Sequence, residues 1–219
     1  METMELPLFP LNTVLFPGAL LPLHIFEPRY RTMIGECIDH ERPFGVVLIE
    51  QGQEVGDGAT PHQVGVTAQI TGVDRMDDGR LNIVCIGQDR FRILDTSSAR
   101  PYLTGDVELL QGLDSDTAEA DAAATHVRER YLEYFNLTLA LRGEWSRRVA
   151  TVQEPDRLAD SLASRLPVGN DTKQALLEEL SVPRRLHGVA AVLNAAIEVL
   201  APRVAASRAE RHASLQWRN

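Results

Sequence analysis

The spacing of apolar residues divides the chain into a front part that alternates and a rear part that steps by three and four. The front part opens with LPLFPLNTVLFPGALLPLHIFEPRY, residues 6–30, an apolar stretch interrupted by Pro7, Pro10, Pro17, Pro22 and Pro28. Each proline removes a backbone donor and would break a helix. Strands accept proline at edges, first positions and bulges. The stretch therefore predicts three short strands, 6–9, 13–16 and 20–25, joined at corners. Pro17-Gly18 fits a type II turn, because Pro presets the first central position and Gly takes the positive φ of the second.

In PRYRTMIGECIDH, Tyr30, Met33, Ile34, Cys37 and Ile38 repeat at three and four, which predicts a short helix with Pro28 in its first turn. PFGVVLIE, 43–50, is a β-branched apolar run and reads as a buried strand. QGQEVGDGATPHQ, 51–63, reads as a loop. In VGVTAQITGV, Val64, Val66, Ala68 and Ile70 alternate with Thr67, Gln69 and Thr71, the pattern of a half-buried strand. Asp77-Asp78-Gly79 is a turn and RLNIVCIG returns from it, so 64–87 forms a hairpin. DRFRILD and YLTGDVELL add two strands separated at Pro101. Six or seven short strands with one early helix fit a small closed or nearly closed barrel.

The spacing changes at QGLDSDTAEAD, 111–121. Asp116 with Glu119 three residues on resembles a capping box and marks a helix start. Val127, Tyr131, Tyr134, Thr138 and Leu141 continue it as one stripe. Pro155 opens a helix carrying Leu158, Leu162 and Leu166, VGND breaks it, and Leu176, Leu177 and Leu180 mark another. Ser181 as N-cap, followed by Pro183, starts the last helix, with Leu186, Val189, Leu193, Ile197 and Leu200 on its apolar face and Pro202 expected to kink or stop it. The predicted class is α+β, with a β-barrel domain over 1–112 and an α-helical domain over 113–219.

Composition narrows the function. A chain of 219 residues is one large domain or two small ones, with ample length for a core. Its 31 acidic against 22 basic residues give a net charge of −9, which repels phosphate backbones and makes nucleic acid a poor partner. Lys173 is the single lysine, and the arginines are scattered. The opening lacks the basic start of a signal peptide, and its prolines interrupt any span of about 20 apolar residues. No membrane role is expected, and the cytoplasm is the simplest location. Cys37 and Cys85 form no C-x-x-C pair; their spacing gives neither a disulfide framework nor a zinc site, and leaves a single bridge open.

The motifs of common chemistries are absent from the sequence. There is no G-x-S-x-G, no H-E-x-x-H, and no phosphate-binding glycine loop. His24, His40, His62, His126, His187 and His212 are dispersed, with no pair at i, i+4. Asp77-Asp78 beside Gly79 reads as a turn before it reads as a metal site. Glu27 and Arg29 flank Pro28 and form a candidate pair at a helix start, where negative charge is favoured. Neither cysteine has a nearby basic residue in sequence that would mark a reactive thiolate. Tyr131, Tyr134 and Phe135 sit at helical spacing, which favours packing over ligand stacking. No catalysis and no cofactor are expected.

Several blocks carry a family resemblance. The opening LPLFPLNTVLFPGALLPLHIFEPRY resembles the signature of the Lon protease amino-terminal domain family. VGVTAQITGVDRMDDGRLNIVCIGQDRFRIL resembles its central hairpin and following strand, and EPDRLADSLASRLPVGNDTKQALLEELSVPRRL its helical part. The resemblance implies a PUA-like pseudo-barrel followed by a helical bundle that ends in a long helix. It also implies a substrate-recognition module of the free-standing kind, since no G-x-x-x-x-G-K-[ST] loop or Ser/Lys protease follows. The expected partners are exposed hydrophobic segments of other proteins, or a Lon-type protease acting on them. Candidate binding residues are Leu23, Phe26, Glu27, Arg29 and Tyr30, and the 51–63 loop is a further candidate. Leu23 and Phe26 also have the simpler reading of barrel packing. The alternative function is an RNA-binding PUA-like module, which would need a basic stripe from Arg75, Arg80, Arg90 and Arg92.

Overall fold

The computed structural model describes residues 3–52, 58–144 and 150–216. Among the described residues the architecture is mixed α+β, with six strands and five helices. In order they are β1 (Thr3–Leu11), β2 (Leu20–Ile25), α1 (Pro28–Asp39), β3 (Phe44–Gln51), β4 (Thr60–Arg75), β5 (Leu81–Ser97), β6 (Thr104–Leu110), α2 (Ala118–Arg142), α3 (Pro155–Arg165), α4 (Asn170–Glu178) and α5 (Val182–Gln216). Residues 53–57 of the expected 51–63 loop lie outside the described residues.

The strands form one sheet in the order β2-β5-β4-β3-β1-β6, and β6 pairs again with β5. The pairings therefore return on themselves as a ring of β5, β4, β3, β1 and β6, with β2 added to the first half of β5. β1 and β3 are parallel, and the crossover such a pair needs is supplied by β2 and α1. The ring interior is a close-packed cluster of Leu6, Leu8, Val47, Phe91 and Val107. Beside it, Tyr30 of α1 stacks on Phe9 at 4.1 Å, and Phe9 meets Phe44 at 6.2 Å. Burying each such side chain contributes about 1.5–3 kcal/mol.

Three strand expectations change. Residues 13–16 are not a strand. Leu15 and Phe16 are apolar because this loop tucks under β5, where Gly18 donates to the Gly87 carbonyl at 2.8 Å and Gly87 donates to Ala19 at 2.9 Å. The turn at Pro17-Gly18 is present, with φ of 76° at Gly18 and the Ala19 N–H on the Phe16 carbonyl at 3.0 Å. RLNIVCIG and DRFRILD, expected as two strands, are one 17-residue strand. β4 is buried on both faces over residues 64–68, where half burial was expected. Gly65 lies under Phe91 and Thr67 accepts the Asp89 N–H at 3.0 Å, so the polar positions of the alternation also face protein.

The chain divides into two compact units, Met1–Leu113 with Asp160–Leu180, and Asp114–Ala159 with Ser181–Asn219. Residues 160–180, expected in the helical domain, thus group with the strands. The cause is polar as well as apolar. Arg90 of β5 is paired with Asp160 and donates to the Leu177 carbonyl at 3.0 Å, and Gln174 donates to the Val64 carbonyl at 3.0 Å.

In the second unit, the N-cap of α2 is Thr117 rather than Asp116, with the Thr117 hydroxyl accepting the Ala120 N–H at 3.2 Å. It ends at Gly143, whose φ of 76° is the left-handed cap that glycine favours. Of the expected α2 stripe, Val127 and Tyr131 are buried and the remainder is half-buried. Ser181 donates its hydroxyl to Asp114 at 3.3 Å, and α5 follows it. Helix α5 passes through Pro202 without stopping.

Candidate functional site

β2, β5 and β4 build a surface that carries Leu23 and is bordered by Phe26. Cross-strand pairing lines up three outward rows: Leu20 with Ile86 and Gln69, Pro22 with Val84 and Gly72, and His24 with Asn82 and Asp74. The inward row of β2 and β5 sets Ile25 against Leu81 and Leu23 against Ile83. An open groove of about 580 Å³ is lined by Pro22, Leu23, His24, Val73, Ile83 and Val84, among others. Gly72 leaves it unfilled, because a Cβ there would meet only Val84, at 3.8 Å.

Polar groups close one end. His24 Nδ1 lies 2.7 Å from Asn82 Oδ1, and the Asn82 amide donates to Asp74 at 3.5 Å. Around this row the apolar residues remain in water. Leu20 is 67% exposed, Phe26 50%, Val73 42% and Val84 39%. These are four of the eight large hydrophobic side chains exposed among the described residues; Leu20, Phe26 and Val84 lie on the outward side, whereas Val73 is in register with Ile83 of the inward row. Such concentration is the usual mark of a surface that meets another molecule.

The sequence candidates distribute unevenly over this geometry. Phe26 is on the surface, its ring 6.1 Å from that of His24, so it extends the groove. Leu23 is half-buried in the lining. Glu27 and Arg29 form a partly buried ion pair at 3.1 Å at the start of α1, and the Arg29 guanidinium lies 4.5 Å over the Tyr30 ring. Tyr30 itself is a core residue, 6% exposed, that fixes α1 against β1. Leu20, Val73, Val84 and Gly72 escaped the sequence reading. The available signal was Val84, an apolar residue at a solvent-facing step of RLNIVCIG, opposite a strand in which His24 alone is polar.

A second polar cluster anchors α1. The Glu36 carboxylate accepts from the Tyr102 hydroxyl at 2.7 Å, Arg100 at 3.0 Å and Arg42 at 3.2 Å. The Tyr102 hydrogen bond, aided by the two guanidinium charges, holds the Glu36 carboxyl below its usual range. Burial first, and then the bond to Glu36, push the Tyr102 phenol up.

Cys37 and Cys85 are free and buried, and burial pushes both thiols up to about 11. Arg42 does lie near Cys37, contrary to expectation, but its charge is outweighed by desolvation. Both thiols are thereby protonated and poor nucleophiles near neutral pH. Among the described residues no cluster of three His, Cys, Asp or Glu could hold a metal. The basic stripe required for RNA does not form, since Arg90 is buried against Asp160 and Arg80 is paired with Asp78 at 2.6 Å.

This fold is shared with amino-terminal domains of Lon proteins. A Lon N-terminal domain protein from Xanthomonas campestris superposes with a TM-score of 0.64 at 27% identity, over 86% of this chain and 98% of that one. The N-terminal domain of the Mycobacterium avium complex Lon protease has the same fold, with a TM-score of 0.66 at 19% identity over 87% and 98%. Residues 5–195 match the ATP-dependent protease La (LON) substrate-binding domain, and the chain belongs to that family. Its relatives include the Lon protease of Anaeromyxobacter dehalogenans, 29% identical over 198 residues, and Lon protease 2 of Myxococcus xanthus, 28% identical over 198 residues. The matches cover 89% of this chain and 24% of either relative, so the chain spans about a quarter of the length of these proteins.

Proposed function

We propose that the chain is a non-catalytic polypeptide-binding module, and that the β2–β5–β4 face receives apolar segments of other proteins. The observation that carries this reading is the co-location of Leu20, Phe26 and Val84, exposed on the outward side of β2 and β5 beside an open groove. The family's substrate-binding description supports it. The ring of strand pairings is read as a PUA-like pseudo-barrel, with this face on its extension. Partners are exposed hydrophobic segments, including those of chains bound for degradation, or a Lon-type protease that degrades them. Two free buried thiols fit a reducing cytoplasm. The absent basic stripe and the net charge of −9 place RNA binding second.

The mechanism is burial of partner side chains against Leu20, Phe26, Pro22 and Val84. Such burial contributes about 25 cal/mol per Å² before the costs of association. An open groove of this kind gives affinities on the order of micromolar. Among the described residues β2 is bonded to the sheet along one edge, and strand addition at its other edge is part of the proposal.

The test is fluorescence anisotropy with a labelled, permanently unfolded polypeptide. Leu20→Ser and Phe26→Ser are each expected to weaken binding about fivefold, a loss of roughly 1 kcal/mol. Both positions are exposed, so circular dichroism and melting temperature should be unchanged. Unaltered affinity in the double variant would remove this face from the proposal.

A further inference from the structure

Helix α5 carries two apolar stripes, and among the described residues one of them is buried and the other is largely exposed. Leu186, Val189, Leu193, Ile197 and Val204 are buried. The second stripe runs Val192, Ala195, Val199, Pro202 and Ala206. Val192 is half-buried, the other four are exposed, and Val199 is 62% exposed. The segment Val182–Ser207 has a mean hydropathy of 1.6 in its most apolar window, yet 28% of that window is buried.

The second stripe steps by three and four in turn, the spacing of a coiled-coil seam. Taking Val192, Val199 and Ala206 as the a positions and Ala195 and Pro202 as d, Glu198 falls at g and Arg203 at e. Both flanking residues are exposed, and among the described residues no ion pair holds either. They are five residues apart, the offset at which a g residue meets an e residue of the neighbouring helix when two helices run parallel and in register.

We propose that this stripe pairs α5 with α5 of a second copy of the chain, parallel and in register. Glu198 of each copy then faces Arg203 of the other, so one contact is made twice about a two-fold axis. The occupant follows from the charge pattern. A second copy supplies the complementary charge at each flank automatically, because the same helix carries both signs at the required offset. A lipid environment fits the helix by length and composition. It would, however, leave an exposed carboxylate and guanidinium on the apolar segment at high cost. The alanines allow the two backbones to approach closely. Pro202 has no N–H, so the Glu198 carbonyl lacks its intrahelical donor, while the proline ring adds apolar surface to the seam. This interface is separate from the β2–β5–β4 face and does not depend on the function proposed for it.

Sedimentation velocity on the full chain across a concentration series tests the pairing. A concentration-dependent dimer is expected. Glu198→Arg and Arg203→Glu should each weaken it about tenfold, since attraction at two symmetric sites becomes repulsion. Mixing the two variants should restore association, because each supplies the charge the other lacks. Val199→Cys should form a disulfide between copies under mild oxidation, as a position on a parallel, in-register seam requires. Circular dichroism on each variant confirms that the fold persists. A chain that stays monomeric at about 100 μM, far above the micromolar range of weak specific pairs, would overturn the proposal. So would a dimer indifferent to both charge variants, or one whose Val199→Cys form does not cross-link. Flotation of the wild-type chain with phosphatidylcholine vesicles, without self-association, would assign the stripe to a membrane instead.

Discussion

Arg90 shows how a residue can be misread from its neighbours. In DRFRILD it stands with Arg92 as one of two basic residues on a strand, and by spacing alone it belongs to a candidate cationic stripe. In the fold it is 4% exposed, with Asp160 70 residues away as its partner. Nothing local in the sequence announces that partner. Removing one member of a buried pair leaves the other charge uncompensated, whereas removing both can be nearly neutral. Arg90→Met is therefore expected to lower stability by about 3–5 kcal/mol in urea denaturation, and Arg90→Met with Asp160→Leu to recover most of that loss. Gly65 is constrained differently. A Cβ there would lie 2.5 Å from the Val46 carbonyl oxygen and 2.7 Å from the Phe91 ring. Gly65→Ala should cost about 1–3 kcal/mol through overpacking. The thiols follow from burial: with both pushed up to about 11, alkylation at pH 8 should be slow in the native chain and fast once denaturant unfolds it.

Among the elements, legibility tracked how local the determining interaction is. Helix α1 was readable because its buried residues Tyr30, Met33, Ile34 and Cys37 carry the periodicity themselves. The β4–β5 turn was readable because Gly79 at φ 79° and the Asp78 carboxylate, which accepts the Arg80 N–H at 3.1 Å, act within four residues. Loop 13–16 was not readable, since Leu15 and Phe16 pack against Gly87 of a distant strand, which bonds the adjoining Gly18 and Ala19. The face proposed for binding was half legible: the opening motif named Leu23 and Phe26, but the rows across β5 and β4 exist only once the register is set. Glu36 ties α1 to the residues before β6, and its titration should show this. Its pKa is depressed in the folded state, so its contribution is fully present above the ordinary carboxylate value of 4.5 and is lost as pH falls through the lowered one. Tyr102→Phe removes the largest cause, so the Glu36 carboxyl should titrate closer to its ordinary value by NMR.

At the scale of the whole molecule, the division of the chain was the least legible feature. A change from alternating to helical spacing suggested a boundary after residue 112, yet the first unit recruits residues 160–180. Periodicity reports the type of an element and carries no information about which core receives it. A fragment ending at residue 113 would therefore leave Arg90 without Asp160 and the Val64 carbonyl without Gln174. Such a fragment is expected to give a poorly dispersed amide NMR spectrum, whereas the intact chain should give a dispersed one. The length of β5 has a consequence of another kind. Its 17 residues are shared among three neighbours, whereas β2 is tethered by β5 alone. Peeling the outer strand away breaks a single ladder, but freeing the shared one requires opening the ring itself. Amide hydrogens along Phe91–Ile93 should thus be among the slowest to exchange, and those of β2 should exchange by a cheaper, local opening. The strand on the face proposed for binding would then loosen and re-form while the rest of the sheet stays closed.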